Sequence, residues 1–366
     1  MRTENKFLSI IIPTYNMATL LPRCLGSLVK AVDAQEYLEV IVVNDGSKDN
    51  SLQVAQEWHS NYPDIVTVID KPNGNYGSTI NAALPAVKGK YVKILDSDDW
   101  FDTSVLSEFI KTIKGFEEVG IEVDVLETHF TQLGSNGNYE VIRYNTMGRE
   151  PFTYGKVYDM EEVLASGYIR QFLMHALTYR TDFLRSIGYH QTEGISYTDT
   201  EWASHPIYHA ETIVFLNLNL YQYNLDRDGQ TMDPKVILKS ISHMQKVLDS
   251  LIEYFDSHYD TLSSTRKGYM KKFIEHRLRL FYKLYLLDMP RESFVAKDLL
   301  TVDQKYASII DQRKLHFNLY PENKLLRIDY IRYWHHYHKR WPVWLERFNH
   351  GLDIVVKWLY VRIFRR

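Results

Sequence analysis

The 366-residue chain has one cysteine, Cys24, so no disulfide can close within it. That absence fits a reducing compartment. No apolar run reaches the ~18 residues that a membrane-spanning helix requires. The N-terminal stretch Met1-Arg2-Thr3-Glu4-Asn5-Lys6 lacks the apolar segment of a secretory leader. Cytoplasmic residence is therefore the expectation. The formal net charge is only −3, which excludes the overall basic field of a nucleic-acid binder. Internal repeats and low-complexity tracts are also missing. What the chain does hold is 45% hydrophobic residues, enough to bury a sizeable core in one large or two ordinary domains.

The first hundred residues alternate between two periods. Phe7 to Ile12, Leu38 to Val43, Ile65 to Ile69 and Tyr91 to Leu95 are apolar runs that read as buried strands, the first closed by Pro13. Leu20 to Val32, Ser51 to Trp58 and Ser78 to Val87 have helical spacing. This alternation predicts an α/β fold with a mostly parallel central sheet flanked by helices. Ligands of such sheets sit beyond the carboxyl ends of the strands. Three polar loops fall there: Pro13-Thr14-Tyr15-Asn16, Asn44-Asp45-Gly46-Ser47 and Asp96-Ser97-Asp98-Asp99.

The pattern is mixed from Asp102 to Tyr223. Strands are expected at Val123 to His129, at Tyr139 to Tyr144 and, as two separate stretches, at Ile213 to Leu220 and Tyr221 to Tyr223, with a turn at Gly134 to Gly137. Short helices are expected at Glu161 to Ser166 and Thr181 to Ile187. After Pro234 the stripe Ile237, Ile241, Met244, Leu248, Leu251 and Phe255 announces long helices. The domain boundary is placed near Asp233-Pro234, dividing the chain into 1–232 and a helical C-terminal region, 233–366.

Three carboxylates within four residues, Asp96, Asp98 and Asp99, repel one another unless a cation neutralises them. Hard divalent ions such as Mg²⁺ and Mn²⁺ favour carboxylate oxygen and bridge it to substrate phosphates. Taken alone, the cluster is a weak signal that reads more readily as a solvated turn or a helix cap. Asp45 has two readings as well: an acceptor for a base or ribose at the sheet edge, or a turn former.

The segments Ile10 to Asn16, Val42 to Asp49 and Leu95 to Asp99, with the glycine-rich Asn73 to Asn81 between them, resemble the N-terminal half of family 2 glycosyltransferases in order and spacing. The close resemblance covers residues 7 to 102, with looser similarity to about 232. It implies a glycosyltransferase-A fold with a C-terminal helical extension, metal-dependent inverting chemistry, and a nucleoside-diphosphate-sugar donor, often a UDP-sugar. It implies donor contacts at Pro13, Thr14, Tyr15, Asp45, Asn73, Asn81, Asp96, Ser97 and Asp99. Asp98 would be the main ligand of Mn²⁺ or Mg²⁺, with Asp96 beside it and toward the ribose. Many members carry Arg where this chain has Ile80, so Lys71 is the candidate substitute.

The family's catalytic base opens a helix in the second half. Ser196 to Trp202 fits best, which makes Asp199 the expected base and Glu201 the reserve, with Trp202 beside the acceptor. The alternative for Asp199 is a helix cap. Tyr223 to Met232 resembles a late family segment and places Arg227, Gln230 and Thr231 at the diphosphate or acceptor; a plain polar turn is the competing reading. His175 is either an acceptor-pocket residue or a buried structural histidine. His335, His336 and His338 lack zinc-site spacing.

The last forty residues mix Trp334, Trp341, Trp344 and Trp358 with Arg and Lys. An apolar stripe runs through Leu345, Phe348, Leu352, Val355, Leu359 and Ile363. A helix of this kind lies on an anionic membrane surface or docks on its own domain. The expected partners are thus a nucleotide sugar, a carbohydrate or lipid-linked acceptor of surface polysaccharide synthesis, and a membrane surface; nucleic acid is not among them. Two rivals remain. A nucleotidyltransferase would want a glycine- and basic-rich first loop, unlike Pro13 to Asn16. A non-catalytic partner subunit would not need the acidic set Asp45, Asp96, Asp98 and Asp199.

Overall fold

The computed structural model describes residues 6–133, 138–144, 150–224, 238, 240–312, 329–345 and 348. All four strands expected in the first hundred residues form: β1 (Leu8–Thr14), β2 (Leu38–Asp45), β3 (Val66–Lys71) and β4 (Tyr91–Ile94). They pair in parallel in the order β3-β2-β1-β4. β1 and β2 are buried along their whole length, as strands covered on both faces must be. Three helices connect them: α1 (Leu21–Val29), α2 (Ser51–Asn61) and α3 (Asn75–Ala83).

One boundary is corrected. Pro13 does not close β1; the strand continues to Thr14. Pairing with β4 ends at Ile11, so beyond it β1 has a neighbour on the β2 side only, with Pro13 opposite Val43. Proline lacks an N–H and is tolerated where one side of a strand needs none. α3 also begins three residues earlier than expected, so the glycine-rich segment supplies its first turn.

The second half of the sheet is mixed. β5 (Trp100–Phe101) leads into α4 (Thr103–Glu118), which Asp102 caps by accepting from the Ser104 and Val105 N–H groups. Then follow β6 (Val125–Leu133), β7 (Tyr139–Ile142), β8 (Val157–Asp159), α5 (Met160–Ala165), β9 (Leu177–Arg180), α6 (Thr181–Ser186), α7 (Asp199–Trp202) and β10 (Thr212–Gln222). β9 inserts antiparallel between β4 and β6, while β10 runs parallel to β6. The two stretches read separately at Ile213 to Leu220 and Tyr221 to Tyr223 are one strand, bent by register shifts after Phe215 and Asn219. The expected turn at Gly134 to Gly137 lies outside the described residues.

Met1–Asp233 and Ser242–Met270 form one compact unit; Pro234–Ile241 and Lys271–Arg366 form another. In the first, α8 (Ile241–His258) buries Val247, Leu248, Leu251, Ile252 and Phe255, the stripe its sequence announces. α9 (Ser264–Lys283) follows. In the second unit, α10 (Ala296–Gln312) and α11 (Tyr330–Tyr337) pack around Trp334, which is buried and donates its indole N–H to Asp303 Oδ2 at 2.6 Å. Trp341 is buried too, whereas Trp344 is 68% exposed and Phe348 52%. Among the described residues no helix is long and apolar enough to cross a membrane.

Candidate active site

Parallel pairing brings the ends of β1, β2 and β3 to one edge, with the turn after β4 following the strand beside β1. Thr14 lies opposite Asn44, and Asp45 opposite Lys71. Asp45 is buried, and its Oδ1 accepts from Lys71 Nζ at 2.8 Å and from the Gly74 N–H at 2.9 Å. Asn73 Nδ2 donates to the Asp45 carbonyl at 2.9 Å. Gly46 permits this approach: its φ is +68°, and a Cβ would meet the Asn73 nitrogen at 2.8 Å. Thr14 is buried and bonds the Ile12 carbonyl, while Tyr15 is exposed. Asn16 sits at φ 54°, accepting from the Lys48 N–H at 2.7 Å and so binding the first loop to the second.

The acidic turn follows β4 directly. Tyr76 OH donates to Asp96 Oδ1 at 2.8 Å. Tyr221 OH accepts from the Asp96 N–H at 3.2 Å and donates to Asp99 Oδ2 at 2.5 Å. The Asn224 N–H donates to Asp99 Oδ1 at 2.7 Å. Burial, then the charges of Asp96 and Asp98, push the Asp99 carboxyl well above its usual range. Ser97 is buried within the turn. The Asp98 carbonyl is held by Arg23 Nη2 at 2.9 Å, and the Arg23 guanidinium stacks 3.8 Å over Trp100.

Asp96, Asp99 and His175 present ligand atoms that all lie within 4.8 Å of one another. Asp98 is outside this set. His175 rides on a short 3-10 turn, Met174–Ala176, just before β9. Its Nδ1 is buried with no protein partner among the described residues. Burial, then the Lys93 charge, lowers its pKa to about 3, so the ring is neutral and able to ligate. Two carboxylates with a neutral imidazole fit a divalent cation, and they leave a charge imbalance when none is bound.

Asp199 is the first residue of α7; the cap position belongs to Thr198. The preceding Tyr197 is held at φ 70°, a conformation a bulky residue adopts only under constraint. Asp199 alone in α7 retains exposed surface. Its charge reaches the acidic turn: the Tyr76 hydroxyl is raised by burial, then by Asp96, then by Asp199. Glu201 and Trp202, expected on the acceptor side, are both buried. Glu201 is fully buried and accepts from the Thr192 N–H and hydroxyl, both at 2.7 Å. Trp202 is fully buried against Tyr179 and Tyr189. The Asn81 amide is committed to the Gln191 carbonyl at 2.8 Å and to Glu193 at 2.9 Å.

The family model Glycosyl transferase family 2 matches residues 9–164. That stretch of the chain is similar to glycosyltransferase family 2. The chondroitin synthase of Pasteurella multocida is 41% identical over 107 residues, 28% of this chain and 11% of that protein. The poly(ribitol-phosphate) beta-glucosyltransferase of Bacillus spizizenii is 36% identical over 100 residues, 27% of this chain and 16% of that protein. The chain spans about a third or less of the length of the curated relatives it matches. Among solved structures, S. aureus TarS 1-349 in complex with UDP superposes with a TM-score of 0.53 at 17% identity, covering 84% of this chain and 82% of that one. The fold is glycosyltransferase-A-like.

The family 2 match ends inside α5, so it includes Thr14, Asp45 and Asp96 to Asp99 but not His175, Asp199 or Tyr221. The second half of the site comes from β9, α7 and β10. Arg227, Gln230 and Thr231 lie outside the described residues. Tyr76, Tyr221 and Asn224 brace the acidic turn without having been singled out by the sequence. Tyr76 stood in a recognised glycine-rich segment; Tyr221 and Tyr223, two residues apart, share one face of the strand end, and both meet His175.

Proposed function

We propose that this site moves a sugar from a nucleoside-diphosphate sugar, a UDP-sugar, to a carbohydrate or lipid-linked acceptor, with inversion at the anomeric carbon. The observation that carries the reading is the convergence of Asp96, Asp99 and His175 beside the Thr14–Asp45 edge. The TarS complex with UDP supports the choice of nucleotide. Similarity to a chondroitin synthase and to a poly(ribitol-phosphate) beta-glucosyltransferase supports an acceptor in surface polysaccharide synthesis.

Thr14, Tyr15, Asp45, Lys71 and Asn73 line the nucleoside side of the edge. Asp96, Asp99 and His175 would hold Mn²⁺ or Mg²⁺, and the imidazole favours Mn²⁺. Such an ion neutralises the diphosphate and eases its departure. Asp98 is the competing ligand. Asp199 accepts the acceptor hydroxyl's proton as that oxygen bonds the anomeric carbon and the diphosphate leaves with the bonding pair. Arg227, Gln230 and Thr231 are kept for the leaving group. Glu201 and Trp202 are reassigned: they hold α7 in place from behind. The protein works in the cytoplasm, and its C-terminal segment, with Trp344 and Phe348 exposed, rests on the anionic inner face of the membrane.

Asp199→Asn tests the base. Turnover should be lost while UDP-sugar binding, measured by calorimetry with Mn²⁺, stays within about threefold, since a neutral isostere keeps the shape and loses the proton acceptor. Normal turnover would remove Asp199 from the mechanism. ¹H NMR of the first product should show the inverted anomer; retention would contradict direct displacement.

A further inference from the structure

β4 is a buried strand, yet a lysine stands in it. Lys93 has no exposed surface, and a buried ammonium persists only with a countercharge and hydrogen-bond acceptors. An aliphatic residue would fill the same place at no such cost. The acceptors are specific. Lys93 Nζ donates to the His175 carbonyl at 2.8 Å and to the Leu177 carbonyl at 3.1 Å. Thr128 donates its hydroxyl to the carbonyl between them, that of Ala176, at 3.2 Å. Three consecutive carbonyls of the turn that carries His175 are thus each bound by a side chain of the central sheet. Glu127, buried and opposite Leu177 in the β6–β9 ladder, is the acidic neighbour that favours the charged lysine against burial.

We propose that Lys93, with Glu127 and Thr128, is a positioning device for the third donor of the cation site: it fixes the backbone of residues 174–177 so that the His175 imidazole stands beside Asp96 and Asp99. The inference rests on the reading of that cluster as a divalent-cation site. The connection is short. Lys93 lies on β4, three residues before Asp96 in the turn that follows it, so β4 both delivers the carboxylate turn and anchors the imidazole turn. Lys93 itself stays behind the cluster, in the place of the outer partners that orient first ligands in metal sites.

The test is a calorimetric Mn²⁺ titration of the full chain without nucleotide. Lys93→Met combined with Glu127→Gln removes the donor without stranding a buried carboxylate. Mn²⁺ affinity should fall by about 10–100-fold, the usual effect of losing an outer-shell partner. In a His175→Ala background the same pair of changes should cost less than about threefold, because Lys93 acts through that ring. Thr128→Val, a milder change that keeps the strand filled, should weaken Mn²⁺ by a smaller factor and serves if the paired variant does not fold. Unchanged affinity in these variants, or an equal loss with and without His175, overturns the inference alone. Failure of the unaltered chain to bind Mn²⁺ removes the cation-site reading, and the inference with it.

Discussion

Asp98 and Asp99 are neighbours with opposite surroundings. Asp99 is fully buried, with one oxygen on Tyr221 and the other on the Asn224 N–H, while Asp98 keeps exposed surface and is fixed through its backbone. Sequence resemblance favours Asp98 as the ligand; the geometry favours Asp99 with Asp96 and His175. Asp99→Asn should therefore weaken Mn²⁺ binding more than Asp98→Asn, and the reverse order by calorimetry would restore Asp98. Tyr221→Phe leaves Asp99 Oδ2 buried with one partner fewer, so it should destabilise the chain by ~1–3 kcal/mol in urea unfolding. It should also lower Mn²⁺ affinity. The motif residues were legible because loops at strand ends show as polar interruptions between apolar runs. His175 was read only as an acceptor-pocket or a buried structural residue, and Tyr221 was not singled out, because a single aromatic in an apolar stretch looks like core until its neighbours are known.

At the level of elements, strand and helix order in the first hundred residues could be read from periodicity, since every strand there is a continuous apolar run. The antiparallel insertion of β9 could not. Leu177–Arg180 is four residues long, and its place between β4 and β6 depends on pairings distant in sequence. α3 meets the loop before α7 at Gly77, where a Cβ would lie 2.2 Å from the Thr192 carbonyl. Gly77→Ala should cost ~1–3 kcal/mol, as forced overpacking does, read as a lower urea midpoint. The contact between the 205–208 turn and α8 adds a pH dependence. His205 stacks on Tyr254 with ring centroids 3.9 Å apart, and His209 bonds the Tyr254 hydroxyl at 2.8 Å. Burial, then neighbouring histidines, lowers His205 to about 3; burial, then His258 and Arg266, lowers His209 to about 4. The unfolded chain takes up these protons as pH falls below 6.5, and the folded chain does not until about 4 and 3. Stability is then full above pH 6.5 and declines toward pH 4. The urea midpoint should fall over that range, and His205→Phe should flatten the decline. An equal slope in the variant would assign the acid sensitivity elsewhere.

On the scale of the whole molecule, the C-terminal region divides between packing and exposure. Trp334 and Trp341 are core residues of the second unit, so the surface left for a membrane begins at Val343 and Trp344. Removing residues 343–366 should abolish sedimentation with anionic vesicles while leaving the unit that carries the site folded; retained sedimentation would end the membrane proposal. Membrane docking and self-docking were indistinguishable by composition, because an amphipathic stripe is the same in either setting and only burial separates them. The central claim concerns the sheet edge, and its direct measurement is donor turnover. With Mn²⁺ and a panel of nucleotide sugars, the chain should release nucleoside diphosphate from at least one donor. Asp96→Asn should reduce that rate by at least ~100-fold, the scale of a lost electrostatic stabiliser. Release of pyrophosphate, or a rate unaffected by Asp96→Asn, would contradict the account.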